Sequence, residues 1–226
     1  MIRCRATLLT MVLLAVGALS AEAQVSPNGF QVTAHGGWEV FAGGSGVESG
    51  FTLGADATYY FSTSLGFGLW TDLAITETAG DMFPPAALSY NDSTIFRTVN
   101  QAVDIWQYGV HGKLQLAGRT APFLLVGAGG YTVFLDPQQA GSNSNYGGFV
   151  ARIGVGVDFA VSDVMGFRIM VADSYYPSWE PERLLPVREE YRNTRFPELN
   201  PDPGELSDSV HNFKLVVGVN MVPGGL

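Results

Sequence analysis

Apolar and polar residues alternate in several strand-length segments of the chain, and eight charged side chains occupy the polar set of alternate positions. Side chains on a β-strand point to opposite faces with that period, so these charges would share one face. They are Glu39, Asp56, Asp72, Lys113, Arg152, Asp158, Arg168 and Lys214. A buried charge without a partner is very costly, and the four acids match the four bases in number. We therefore expect a paired charge network with a structural role.

Three histidines could support hydrolysis if a nucleophile and an acid lay beside them. His35 and His111 share the phase of the charged residues, whereas His211 has the opposite phase near the end of its strand. A hydrolase needs its nucleophile, base and orienting acid within hydrogen-bond reach of one another. The sequence contains no His-x-Ser motif, and His35 beside Asp56 or Asp72 is the remaining candidate. We expect no enzyme and no catalytic residue.

Metal and cofactor sites are not indicated by the residue types or by their spacing. The only cysteine is Cys4, so the rest of the chain offers no thiolate ligand and no disulfide. No spacing of acidic residues matches a calcium-binding loop. We expect no cofactor and no specific metal site.

The alternation itself predicts eight β-strands. In the second of them, Phe51, Leu53 and Ala55 alternate with Thr52 and Asp56. This pattern is typical of a strand with one apolar and one polar face. The predicted strands span 30–42, 51–62, 65–76, 104–116, 123–135, 149–161, 165–172 and 210–222. The fifth is apolar on both faces, which leaves its phase undetermined.

The connections between the predicted strands alternate in length. Short turns fall near 63–64, 118–120 and 162–163, and longer connections span 43–50, 79–103, 136–148 and 173–209. Such alternation is typical of exported membrane barrels. The last loop, 174–208, is rich in proline and aromatic residues, and a short helix broken at Pro186 could form over 182–193. This loop is a mobile segment, a cap folded over the barrel mouth, or an adhesive surface.

Residues 1–23 are predicted to be a signal peptide. Two arginines precede an apolar run, 8–19, that is too short to span a bilayer comfortably as a helix. The small-x-small pattern that signal peptidase recognises follows at Ala21-Glu22-Ala23. We expect residues 24–226 to form one domain after export.

Composition favours a membrane barrel over other classes. The net charge of −9 argues against nucleic acid as a partner. Charged residues make up 15% of the chain, whereas about a quarter is typical of a soluble domain. The outer face of a soluble barrel should carry many Lys and Glu, but the polar face here carries Gly, Thr, Gln and Asn, which suit a crowded lumen. A soluble, periplasmic lipocalin-like barrel remains as an alternative.

The chain resembles the small OmpA/OmpX-type outer-membrane β-barrel family over essentially all of residues 24–226. The resemblance rests on the cleavage pattern at 21–23, the strand Arg152-Ile153-Gly154-Val155-Gly156-Val157-Asp158 and the closing strand 211–219. It implies an eight-stranded, antiparallel, up-and-down barrel with periplasmic turns and long outer loops. The family usually ends on an aromatic residue that the barrel-assembly machinery reads, whereas this chain ends Val222-Pro223-Gly224-Gly225-Leu226.

The resemblance also implies a location in the cell outer membrane. The expected partners are outer-membrane lipid and, during biogenesis, the barrel-assembly machinery. We expect a side-chain-filled lumen and a structural or surface-interaction role through the outer loops, with an extracellular ligand that the sequence does not identify. The alternatives are a narrow or gated pore opened by rearranging charge pairs, a lipid A-modifying enzyme, and the soluble periplasmic barrel.

Overall fold

The computed structural model describes residues 27–79, 86–90, 93–97, 100–136, 145–184 and 205–223. The predicted signal peptide, 1–23, lies outside the described residues. The strands are β1 Gly29–Phe41, β2 Gly50–Tyr60, β3 Leu65–Glu77, β4 Ala86–Tyr90, β5 Ser93–Arg97, β6 Ala102–Gln115, β7 Thr120–Asp136, β8 Tyr146–Ala160, β9 Met165–Tyr176 and β10 Val210–Met221. One short 3-10 helix, Pro181–Leu184, follows β9.

Eight of these strands form a closed antiparallel barrel in the order β1-β10-β9-β8-β7-β6-β3-β2. The barrel closes where β1 pairs with β10, for example at Gly36 opposite Val217. Closure leaves no unpaired sheet edge, which is what a sheet in a membrane requires. The predicted fold class and all eight predicted strands are confirmed. The sequence did not indicate the separate hairpin of β4 and β5, which lies inside the predicted connection 79–103.

The apolar faces of the strands point outward and the polar faces point into the lumen. Leu69, Val155 and Phe167 are each more than half exposed on the outer surface. Arg152 and Arg168 are buried inside the barrel. This polarity is the reverse of that in a soluble lipocalin-like barrel, and it gives an outer surface suited to lipid.

The phase of β7, which the sequence left undetermined, follows the same rule. Phe123 and Leu125 are buried in the lumen, whereas Leu124 and Val126 are exposed on the outer surface. Large apolar side chains therefore occupy both faces of this strand. It brings Phe123 into the lumen beside the charged groups described below.

The two ends of the barrel differ in the length of their connections. At one end β2, β6 and β8 pass to their partners through residues 61–64, 116–119 and 161–164. At the other end the connections span 42–49, 78–101, 137–145 and 177–209. Short turns face the periplasm in outer-membrane barrels, so the second end is the outer mouth. No helix within the described ranges is long and apolar enough to cross a membrane.

The outward position of Val155 predicts a depth-dependent cost for a charge on this surface. Val155 is 57% exposed and lies within β8, whereas Val161 is 62% exposed at the periplasmic turn. Val155→Arg should lower the free energy of unfolding by about 2–4 kcal/mol, because Arg is costly near the bilayer midplane. The matched control, Val161→Arg, should lower it by about 0–1 kcal/mol. Urea unfolding in lipid vesicles measures both, and equal losses would contradict the lipid-facing assignment of Val155.

Candidate functional site

One half of the lumen network centres on Arg168 of β9, whose guanidinium joins two aspartates. Arg168 Nε lies 2.8 Å from Asp158 Oδ1, and its Nη1 lies 2.7 Å from Asp56 Oδ2. Lys113 Nζ lies 2.6 Å from the other oxygen of Asp158. All four side chains are buried. Three strands besides β9 therefore meet at this set of ion pairs, and each aspartate contacts at least one fixed positive charge.

The aromatic ring of Phe123 packs against two of these cations. The ring centroid of Phe123 is 4.4 Å from Lys113 Nζ and 4.8 Å from Arg168 Cζ. A cation is attracted to the face of an aromatic ring, and the attraction grows when water is absent. Phe123 thus stabilises two cations that also share Asp158.

The other half of the network centres on Asp72 of β3. His35 Nε2 lies 2.7 Å from Asp72 Oδ1, and Arg152 Nη1 lies 3.2 Å from Asp72 Oδ2. Lys214 Nζ donates a hydrogen bond to the same oxygen. His35 Nδ1 lies 3.5 Å from Asp56 Oδ2, which links the two halves. The chain of contacts is therefore continuous from Lys113 to Lys214.

Close packing at the centre of the lumen depends on Gly54. A Cβ atom at this position would lie 2.6 Å from His35 Nε2 and would overlap Asp72 Oδ1. Any larger residue would force the two side chains apart. The absence of a side chain on β2 at this level therefore permits the contact between His35 and Asp72.

The structure connects seven of the eight expected charged residues and leaves Glu39 apart from the bases. Glu39 lies in the lumen, where its Oε1 accepts hydrogen bonds from Gln107 Nε2 at 2.9 Å and from Asn212 Nδ2. Within the described part of the chain, its carboxylate forms no ion pair. Its cross-strand neighbour Lys214 contacts Asp72 directly and acts on Glu39 only through longer-range electrostatics, so a direct pairing of Glu39 with a base stays a prediction.

The three histidines have different surroundings. His35 belongs to the charge network, which the sequence suggested only as a conceivable pairing. His111 Nε2 lies 2.9 Å from Thr58 Oγ1 inside the lumen. His211 faces outward near the outer mouth, where Nδ1 lies 3.0 Å from Asp173 Oδ2 and its ring stacks on Tyr175. Across the described residues, no group of three or more His, Cys, Asp or Glu side chains could hold a metal ion.

Four aromatic side chains close the outer mouth. We call Tyr131, Tyr146, Tyr176 and Trp179 the aromatic lid. The ring of Trp179 lies 5.6 to 5.8 Å from those of the three tyrosines, measured between centroids. Its Nε1 donates a hydrogen bond of 2.8 Å to Ser45 O, and Tyr131 donates one of 2.6 Å to Ser178 O. The lid is therefore fixed to the barrel both by packing and by backbone carbonyls.

The first part of the last predicted loop is ordered by this lid. Ser174 and Tyr176 belong to β9, so the predicted loop boundary at 174 is wrong; the ladder with β10 continues to Val210 opposite Tyr176. Leu184, at the end of the 3-10 helix, is buried with Trp179. Of the predicted helix 182–193, only 182–184 is described, and there it forms the 3-10 turn.

The two-residue period does not indicate the lid within the predicted strands, because two of them end too early. Tyr146 and Tyr176 fall beyond the predicted ends of their strands, in the predicted connections 136–148 and 173–209. The inward phase of β8 continues from Val150 to Tyr146, and that of β9 continues from Ala172 to Tyr176. Two more repeats of the period on each of these strands reach both rings. Nothing in the period locates Trp179, which follows the end of β9.

The shared contact of Arg168 with Asp56 predicts coupling between these residues. Arg168→Met should destabilise the barrel by about 3–5 kcal/mol, because it leaves buried carboxylates without their cation. Adding Asp56→Asn should recover part of the loss. When Glu39→Gln is added instead, the losses of unfolding free energy from the two substitutions should sum to within about 0.3–0.5 kcal/mol, since Glu39 shares no contact with Arg168. Urea unfolding in lipid vesicles gives the free energies of the six proteins required: the wild type, the three single variants and the two double variants. Equal additivity for both pairs would contradict the network.

Burial of Trp179 predicts slow proteolysis beside the lid. Arg183 is a trypsin site in the 3-10 turn, and its side chain is 43% exposed. Trypsin added to intact cells should cut after Arg183 slowly, and Trp179→Ala should accelerate the cut by releasing the turn. Trp106→Ala on the outer surface is the matched control and should leave the rate unchanged. Equal rates in all three proteins would show that the lid does not hold this segment.

The same experiment tests the orientation of the barrel. The other predicted trypsin sites of the loop are Arg188, Arg192 and Arg195, which lie outside the described residues. Cutting of this loop in intact cells should leave the barrel strands associated, because their backbone groups are paired and embedded. Cleavage that required permeabilisation of the outer membrane would reverse the topology.

Comparison with known proteins agrees with this architecture. A family model described as the outer membrane protein beta-barrel domain matches residues 9–220. No curated protein sequence matches the chain significantly. The crystal structure of Neisserial surface protein A is similar with a TM-score of 0.53 at 16% identity, covering 85% of this chain and 96% of that one. The crystal structure of the outer membrane protein OprG from Pseudomonas aeruginosa has a TM-score of 0.46 at 13% identity, covering 90% of this chain and 100% of that one.

The likeness to Neisserial surface protein A shows the fold alone, whereas the family match spans nearly the whole chain. The outward apolar surface and the closed sheet are the physical features that such a family requires. The protein therefore belongs to the outer membrane protein beta-barrel domain family and lies, among its lipids, in the outer membrane of Gram-negative bacteria.

Proposed function

We propose that the protein is a closed outer-membrane barrel with a structural or surface-interaction role carried by its outer loops. The observation that carries this proposal is the double closure of the lumen. The ion pairs around Arg168 and Asp72 fill its middle, and the aromatic lid fills its outer mouth. Arg152, Arg168, Lys113 and Lys214 are each at most 2% exposed.

The energetics of buried ion pairs support a closed resting state. Removing one partner of such a pair is typically destabilising by about 3–5 kcal/mol, because the other charge is left without compensation. A conducting path past Arg168 would require its contacts with both Asp56 and Asp158 to part. A path to the exterior would also require Trp179 to leave the three tyrosines. Spontaneous conduction is therefore disfavoured at two separate levels.

The distribution of the connections supports action at the outer face. All four long connections leave the same end of the barrel. Loops carried on a rigid scaffold are where binding residues concentrate. The segment 177–184 is held over the mouth and so presents a defined surface, with Glu180 paired to Arg183. An ordered loop surface of this kind suits contact with an extracellular partner.

Export and assembly complete the proposal. Residues 1–23 would direct secretion, and β10 would be the strand recognised by the barrel-assembly machinery. β10 ends at Met221, which is exposed on the outer surface. Val222 follows and packs against Tyr60.

Planar-bilayer recordings test the closed lumen. The purified wild-type protein should give no stepwise conductance in a bilayer where a sixteen-stranded porin, added as a control, gives clear steps. Trp179→Ala should also be silent, because the ion pairs beneath the lid remain. Steps from the wild-type protein would contradict the proposal and favour a pore. Steps from Trp179→Ala alone would favour a pore gated by the lid.

A loop replacement separates the structural role from the surface role. Replacing residues 178–207 by a short Gly-Ser turn should leave the barrel folded, as judged by heat-modifiable migration in gels. If the loops carry the function, this variant should lose adhesion while retaining the resistance of cells to detergent. A change in lipid A mass that depends on the protein would instead favour the enzyme alternative.

A further inference from the structure

The lipid-facing wall of the barrel carries an open recess of about 440 Å³, which we call the outer-wall groove. Its lining side chains come from β2, β3, β6 and β7 and all point outward. They are Leu53, Ala55, Thr71, Leu73, Trp106 and Phe134. Among the described residues that line the groove, none is charged. The groove is therefore an apolar depression in a surface that faces lipid.

A step in side-chain size forms the groove. Leu53, Leu73 and Trp106 pair across β2, β3 and β6 and form a row of large side chains. The next outward row toward the periplasm begins with the smaller pair Ala55 and Thr71. Consecutive outward residues are about 7 Å apart along a strand, so a row of small side chains leaves a trough about one side chain wide.

Two contacts fix the indole ring that walls this trough. Trp106 Nε1 donates a hydrogen bond of 2.7 Å to Thr71 Oγ1. The ring centroid of Trp106 also lies 4.8 Å from that of Tyr108 on the same strand. Because the wall is held by the protein itself, the groove is formed before any occupant arrives, as is usual for binding sites.

The chemistry of the lining favours hydrocarbon as the occupant. The indole N–H of Trp106 is already bonded to Thr71, and apart from the Thr71 hydroxyl the remaining side chains of the lining are apolar. A polar headgroup placed here would lose hydration without gaining matching hydrogen bonds. A hydrocarbon chain has no such cost, and it gains dispersion contacts with the floor and the walls of the trough together.

The position of the groove selects the leaflet from which such a chain comes. Leu53, Leu73, Trp106 and Phe134 each lie nearer to the outer end of their strand than to its periplasmic end. The groove therefore opens to the outer leaflet and is continuous with the exposed apolar surface that lipid covers. In Gram-negative bacteria this leaflet consists largely of lipopolysaccharide, whose lipid anchor carries saturated acyl chains.

We propose that the outer-wall groove binds one saturated acyl chain of a lipopolysaccharide molecule. The barrel then carries one lipid at a defined place on its wall, in addition to the lipids that surround it without fixed positions. A straight, flexible chain matches a trough one side chain wide. This lipid site goes beyond the proposed role of the outer loops and does not depend on it.

Filling the trough tests the proposal. Ala55→Phe occupies the floor without adding charge or removing a hydrogen bond. Ala151→Phe is the matched control, since Ala151 has the outward phase in the outer half of β8, away from the groove. Each protein is extracted from outer membranes in mild detergent and weighed by native mass spectrometry. The wild type and Ala151→Phe should retain one lipopolysaccharide, and Ala55→Phe should retain at least fivefold less. Heat-modifiable migration in gels confirms that both variants are folded.

The same spectra contain the results that would overturn the proposal. Equal retention of lipopolysaccharide by Ala55→Phe and the wild type would place the lipid elsewhere. A phospholipid that is retained by the wild type and displaced in Ala55→Phe would contradict the assignment to lipopolysaccharide. A dimer that Ala55→Phe disrupts would show that the groove contacts a second copy of the chain.

Photo-crosslinking in cells gives a readout that does not depend on extraction. A photoreactive phenylalanine analogue is placed at Leu73 in the groove or at Phe213, which is exposed on β10 at the opposite side of the barrel. Illumination should couple lipopolysaccharide to position 73 at least fivefold more than to position 213. Adding Ala55→Phe should remove this difference. Equal coupling at the two positions would show unspecific lipid contact and overturn the site.

Discussion

A charged group inside this barrel must find its counter-charge within the barrel, because crowded side chains leave little room to hydrate it. The network of ion pairs draws on β1, β2, β3, β6, β8, β9 and β10, so it forms only when these strands share one register. A slip of a single residue would turn every lumen side chain toward lipid. Charge pairing in the lumen and apolar contact with lipid therefore specify the same register from opposite faces of the sheet.

The important pairs reach across the lumen instead of running along neighbouring strands. Arg168 on β9 contacts Asp56 on β2, and Lys214 on β10 contacts Asp72 on β3, in each case three strands apart around the barrel. Such contacts connect the first hairpins of the chain to the last strands. They also cross the seam between β1 and β10, which is the pairing of longest sequence separation. Lumen charge thus contributes to closure as well as to filling.

The two-residue period was enough to place the eight barrel strands and to group eight charged residues on one face, because both depend on local alternation. The composition of the polar face was also needed to assign that face to the lumen. The period could not choose partners, because partner choice depends on reach across the lumen. Glu39 illustrates this: Lys214 is its neighbour in the ladder but extends to Asp72. Two of the predicted strands also ended too early to include Tyr146 and Tyr176. Trp179 lies beyond any strand, where tertiary packing alone decides its position.

The two closures of the lumen differ in what holds them and in how they can open. The lid rests on four aromatic rings and on hydrogen bonds to Ser45 and Ser178, and its central ring, Trp179, lies on the loop segment that follows β9. Local segments of this kind open at a lower free energy than the whole fold. The ion pairs beneath draw on seven strands and cannot part without disturbing the barrel. Release of Trp179 would therefore uncover the three tyrosines at the outer mouth while the ion pairs below stayed in place, which supports the proposed surface-interaction role over the alternative of a pore.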